Sequence, residues 1–190
     1  MISKKLIQEA ESFVYSQAKK FQVPSVFHIK LSNKKGQQLA EKLGANRDIV
    51  LLGTLLMDCM LGKAVSEGKI SEHVEMSFEK AVQFLSSFSE ITSEEKENIL
   101  SCVKEHHGTD SFYSLESEIV CNADCYRFVS IEGVVGGIHN GRQMNVNDLI
   151  SLYEKKAEEK WHIISLDICK KELELQYKLI KQFLQFSLKN

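Results

Sequence analysis

Residues 39–60 read LAEKLGANRDIVLLGTLLMDCM, and this stretch decides the fold class. Gly44 supplies a helix stop, because glycine closes a helix in the left-handed conformation without steric cost. Asn46 or Asp48 then offers a cap for the next helix. The segment that follows, Ile49 to Met60, is almost wholly apolar. A helix that is apolar all round belongs inside a protein. Asp58 breaks this run, and a buried carboxylate needs a partner, metal or otherwise.

Helical periodicity extends in both directions. Leu6, Ala10, Phe13, Val14 and Ala18 form one stripe on a first helix. Pro24, the only proline, marks the start of a second helix running through Leu31 and Leu39 to Gly44. Residues Gly62 to Ile70 read as a polar loop, and Ser71 as the cap of a helix continuing to about Phe88. Thr92-Ser93-Glu94-Glu95 is a capping box opening a helix that ends at His106-His107-Gly108. Ser114 begins another through Ile119, Ala123 and Tyr126. Gly133 to Met144 is glycine-rich, lacks the ending of a phosphate loop, and reads as a turn. Asn147 or Asp148 caps a final region of one or two long helices carrying Trp161, Leu166, Ile168, Leu173 and Phe183, an apolar stripe suited to core or dimer contact. No strand pattern, repeat or linker intervenes, so the expectation is one all-α domain spanning residues 1–190.

Bulk properties exclude several function classes. With 190 residues, 43% hydrophobic and 26% charged, the chain can bury a real core. The formal charge of −2 and its interspersed signs give no nucleic-acid footprint. No apolar run approaches the roughly 20 residues that span a bilayer. The N-terminus leads into an amphipathic pattern rather than a signal peptide. Five cysteines without a CxxC spacing argue against a disulfide framework. A cytoplasmic protein without membrane attachment is expected.

The residues with chemical content form an ordered set: His28, Asp58, His73, the doublet His106-His107, and Asp124. Each lies on or beside the apolar face of a predicted helix. Imidazole and carboxylate groups gathered in this way can hold divalent metals and a bridging water. A lone buried histidine is more often a satisfied core residue than a ligand, so the weight rests on the order. On a regular helix His106 and His107 point about 100° apart, and both reach one ion only where the helix frays, as Gly108 allows. Cys121 and Cys125, one turn apart, read as small buried hydrophobes. His139 and His162 carry no pattern.

Residues 20 to 135 resemble the HD-domain metal-dependent phosphohydrolases. His28 matches that family's first histidine, and Leu51 through Asp58 matches its His-Asp helix. Glu72-His73-Val74-Glu75-Met76-Ser77 matches the next histidine segment, Glu105-His106-His107-Gly108 the helix-end doublet, and Asn122-Ala123-Asp124 the closing aspartate. The resemblance implies an HD-domain-like helical bundle, extended here by C-terminal helices from about residue 145 to 188. One departure stands out: Met57 occupies the position of the eponymous histidine. A thioether is a weak ligand for hard divalent ions.

By resemblance, one metal site would use His28, Met57, Asp58 and Asp124, and a second would use Asp58, His73, His106 and His107. One or two divalent ions (Fe, Mn, Ni, Co or Zn) are implied, with Asp58 as the catalytic residue that bridges or orients hydroxide. Lys30, Lys34, Lys63, Lys69 and Arg127 are candidate phosphate partners, Arg127 because it lies one turn beyond Asp124. The implied activity is hydrolysis of a small phosphoester or nucleotide-like substrate. Alternatives from the same residues are a catalytically weakened metal- or nucleotide-binding sensor, which Met57 favours, and a helical scaffold, with a homodimer through the C-terminal helices.

Overall fold

The computed structural model describes residues 2–141 and 144–188, and within them the chain is helical with no strand. Ten α-helices follow in order: α1 (Lys4–Phe21), α2 (Val26–Leu43), α3 (Arg47–Leu56), α4 (Leu61–Ser66), α5 (His73–Leu85), α6 (Ser93–Glu105), α7 (Leu115–Val129), α8 (Ile131–Asn140), α9 (Val146–Ile163) and α10 (Asp167–Leu188). The all-α expectation holds.

Local chemistry sets most boundaries. Ser3 and Ser25 cap α1 and α2 by accepting from the amides of Leu6 and His28. Asn46, not Asp48, caps α3, accepting from the amides of Asp48 and Ile49. Thr92 and Glu95 close a reciprocal capping box on α6, and Ser114 with Ser117 does the same on α7. Four expectations fail. Residues 61–66 are a short helix, not a loop, with Gly62 and Ala64 buried. Ser71 lies in a single 3₁₀ turn, Ile70–Glu72, and α5 starts at His73 without a side-chain cap. The glycine-rich stretch forms α8, and the cap of α9 is Asn145, two residues before the expected one. Residues 142 and 143 of that stretch lie outside the described residues.

Two helices form the centre. In α7 every residue from Ile119 to Arg127 is buried, because α2, α3, α6, α8, α9 and α10 surround it. α3 crosses α7 with Val50, Leu52, Leu55 and Leu56 inaccessible. Arg47–Ser66, which contains α3 and α4, reaches spanning length with mean hydropathy 1.7, contrary to the sequence reading. It is a core segment: 67% of the window is buried in the bundle. On the far side, Val135 of α8 and Leu179 and Phe183 of α10 stay exposed around a shallow apolar groove.

Close approach of α3 to its neighbours rests on Gly53. A Cβ there would lie 2.6 Å from Cys102 Cβ and 2.8 Å from Val120 Cγ2. The Cys102 Cβ atom is fixed to its backbone and cannot rotate away. Alanine would gain about 1 kcal/mol of helix propensity, while overpacking costs about 1–3 kcal/mol. We predict that Gly53→Ala lowers the urea unfolding midpoint by the equivalent of about 1–2 kcal/mol. An unchanged midpoint would refute tight packing at this crossing.

Candidate metal centre

Asp58 stands in the turn that follows α3, where Met57 N–H still donates to Gly53 O and Leu61 N–H donates to Asp58 O. The turn places its carboxylate, 7% exposed, between α5, α6 and α7. His73 arrives as the first residue of α5, delivered by the preceding 3₁₀ turn. The doublet resolves the problem set by helical geometry: α6 ends at Glu105, and His106 and His107 fall beyond its regular turns. Gly108, at φ 92°, reverses the chain immediately afterwards. Both rings can therefore face the same point, their centroids 4.4 Å apart.

One donor atom from each of Asp58, His73, His106 and His107 lies within 4.8 Å of the other three. Asp58 Oδ1 is 3.5 Å from His73 Nε2 and 3.4 Å from His106 Nε2, and His73 Nε2 is 3.2 Å from His107 Nε2. A tetrahedron with metal bonds near 2.1 Å has edges of about 3.4 Å. His73 Nδ1 and His106 Nδ1 each lie 2.7 Å from a main-chain carbonyl, of Ile70 and Val103, to which each donates. A neutral imidazole that donates from Nδ1 carries its lone pair on Nε2. Carbonyl-fixed tautomers of this kind orient metal-ligating histidines.

The outcome is that Asp58 Oδ1 faces imidazole nitrogens without a hydrogen bond, while His73 Nε2 and His107 Nε2 share one. Asp58 Oδ1 and His106 Nε2 are both buried and lack a hydrogen-bond partner. Burial, then His106 beside it, pushes the His107 imidazolium pKa down to about 3, so that ring is neutral near pH 7. Facing acceptors repel unless a cation sits among them, and nitrogen and oxygen donors suit Zn, Mn, Fe, Co or Ni. The residues present fit a divalent ion here. On the His107 side the cluster meets solvent-accessible groups: that ring and Glu159 are each about a third exposed, with His107 Nδ1 3.7 Å from the Glu159 carboxyl.

The other carboxylate of the ordered set has a different environment. Asp124 and Arg127 lie one turn apart on α7. Arg127 Nη1 is 2.6 Å from Asp124 Oδ1 and 2.6 Å from Asp58 Oδ2. Lys160 Nζ, from α9, is 2.7 Å from Asp124 Oδ2. Burial alone would raise both carboxyls. Arg127 at Asp58, and Lys160 with Arg127 at Asp124, more than offset it and hold both well below the usual carboxylate range. His28 turns its Nε2 to the Gly133 carbonyl, 3.1 Å away. Burial, followed by Arg127, pushes its pKa down to about 4. Met57 is buried in the apolar core. The site implied for His28, Met57, Asp58 and Asp124 therefore does not fit a metal ion.

Arg127 is buried between two carboxylates, so the structure does not place it at an open phosphate position. Lys34 is paired with Glu132, Lys63 and Lys69 are drawn to Glu67, and Lys30 is exposed on α2. None of these four contacts the cluster. Sequence reasoning missed Lys160, which is 1% exposed within a run of lysines and glutamates. Its register held a signal: with Tyr153 and Ala157 it continues the buried stripe of α9 at i, i+4 and i+7.

No family model matches the sequence, and no curated protein does either. Solved structures are similar over nearly their whole length. A protein from an uncultured Thermotogales bacterium, described as a predicted HD superfamily hydrolase, has 16% identity and TM-score 0.67 over 95% of this chain and 90% of its own. An HD-superfamily hydrolase from Bacillus thuringiensis has 20% identity and TM-score 0.65, covering 98% and 96%. Bacillus subtilis YpgQ, solved in complex with ADP, has 15% identity and TM-score 0.63, covering 97% and 95%. The chain has the HD-domain fold.

His28 yields a pH prediction. Its pKa falls from 6.5 to about 4 on folding, so between those values the unfolded chain binds more protons. Stability contributed by His28 is complete above pH 6.5 and is lost as pH falls toward 4. At pH 4.5 the loss is about 2–3 kcal/mol from this residue. His107 acts in the same sense. Asp58 and Asp124 lose stability only as pH falls through and below the ordinary carboxylate range. In chelator, His28→Gln should lose less stability than the parent between pH 7 and pH 4.5, measured by urea unfolding. Identical losses would show that His28 is not the titrating group.

Proposed function

We propose that this protein is a metal-dependent hydrolase of phosphoester substrates, using an ion held by Asp58, His73, His106 and His107. The observation that carries the reading is the pair of buried, unpartnered atoms, Asp58 Oδ1 and His106 Nε2, 3.4 Å apart. Leaving such atoms without a partner costs on the order of 1–3 kcal/mol each, and a bound cation removes the cost. The HD-domain fold, shared with proteins described as HD-superfamily hydrolases, supports the reaction class. The ADP bound by YpgQ supports a nucleotide-like substrate.

A divalent ion in this position supplies Lewis acidity and lowers the pKa of water toward neutrality. The protein supplies the rest. Asp58 presents Oδ1 to the cluster while Arg127 holds Oδ2, so the carboxylate is fixed and ionised. The carbonyls of Ile70 and Val103 orient His73 and His106. Neutral His107 and Glu159, both partly exposed, mark the side from which a substrate would approach from solvent. Positioning and charge neutralisation are what phosphoryl transfer asks of a protein. We place the protein in the cytoplasm.

A second reading is a metal- or nucleotide-binding regulatory module, and Met57 favours it. The two readings share a metal site and differ in turnover. The purified protein should contain bound metal by elemental analysis. Added Mn or Zn should raise its melting temperature, because a ligand specific for the folded state stabilises it. His106→Ala should weaken metal binding by more than the roughly 10–100-fold caused by removing a ligand's supporting partner. A panel of nucleotides and generic phosphoesters, with Asp58→Ala as the control, then tests activity. Turnover unaltered by Asp58→Ala would exclude this site, and bound metal without turnover would favour the regulatory module.

A further inference from the structure

We infer that Arg127 is a built-in cation occupying the place where a second metal ion would bridge Asp58 and Asp124, so the centre takes no ion between these carboxylates. One nitrogen, Arg127 Nη1, lies 2.6 Å from an oxygen of each carboxylate. Guanidinium and carboxylate at this separation form a charge-assisted hydrogen bond, and here one donor nitrogen serves two acceptors. Lys160 completes the charge balance from the opposite side of Asp124. Two buried carboxylates thus face two buried cations.

The local neutrality matters. A divalent ion added between Asp58 and Asp124 would meet Arg127 and Lys160 at close range in a dry interior, where like charges interact strongly. It would also need ligands that the structure does not offer. The residue beside Asp58 in that site is the thioether of Met57, a weak ligand for hard divalent ions. Phe128 lies against the guanidinium, whose carbon is 5.4 Å from the ring centroid. Two features of the chain, Met57 and the inserted Arg127, agree in excluding the ion. The histidine cluster on the other side of Asp58 is untouched, because Arg127 engages Oδ2 and leaves Oδ1 free.

This inference is independent of whether the His73–His106–His107 cluster holds metal or catalyses anything. It also predicts that Met57→His alone creates no second site, because the guanidinium still stands in it. The test is anomalous diffraction from crystals soaked in Mn, combined with thermal melting with and without Mn. In the natural protein no anomalous peak is expected between Asp58 and Asp124. In Met57→His/Arg127→Ala a peak is expected there. The double variant should melt about 10 °C lower without metal, because two buried carboxylates have lost a partner. Mn should recover at least half of that loss, a larger rise than in the natural protein. A Mn peak between Asp58 and Asp124 in the natural protein would overturn the inference. So would a folded double variant that shows no peak there and no larger Mn-dependent rise. Should the double variant fail to fold, the natural protein's map still decides. A peak at the histidine cluster, or none anywhere, bears on the proposed function and leaves the site between the aspartates excluded.

Discussion

A carboxylate at the end of an apolar helix has to be compensated, and in this chain the compensation of Asp58 organises everything near it. α3 is buried because its surface is apolar, and its close crossing with α6 and α7 carries Asp58 inward with it. An ionised carboxylate in such a place is tolerated only with charge and hydrogen bonds around it. Arg127 supplies these on one oxygen. On the other oxygen there is no donor, only imidazole nitrogens whose lone pairs face it. That asymmetry separates the two halves of the centre: one half is already neutral, and the other still needs a positive charge.

The same logic explains why the histidines sit at helix ends. A side chain in mid-helix points along a fixed direction, so neighbours in sequence diverge. His73 is the first residue of its helix, and His106 and His107 follow the last regular turn of theirs. At such positions nearby carbonyls accept from imidazole Nδ1: Val103 O in the last turn of α6 for His106, and Ile70 O in the preceding 3₁₀ turn for His73. The helix ends thereby provide both the convergence and the orientation.

Much of this was legible in the residues, and the rest was not for identifiable reasons. Gly44, Thr92 with Glu95, and Ser114 act through contacts within four residues, so their elements can be read directly. The order of His28, Asp58, His73, His106, His107 and Asp124 foretold a cluster, and four of the six do converge. α8 was misread because Gly133, Gly136 and Gly137 look like breakers. Their lack of side chains in fact admits the Tyr126 and Arg127 carbonyls, Phe27 and Tyr153 at close range. α4 was missed because only Gly62 and Ala64 face inward. Arg127 read as a phosphate partner, and Lys160, in a run of lysines and glutamates, was not singled out. Asp58 for Arg127 and Asp124 for Lys160 lie on other elements, so the register of Lys160 could announce its burial but not its partner.

Lys160 belongs to α9, far along the chain from the segment that carries the metal-type ligands, yet its ammonium group ends on Asp124. α9 is therefore part of the charge cluster around Asp124. A truncation stopping after α8 would take away half of what balances Asp124 and would uncover the α9 and α10 flank of α7. The C-terminal quarter is bound to the rest by electroneutrality as well as by packing.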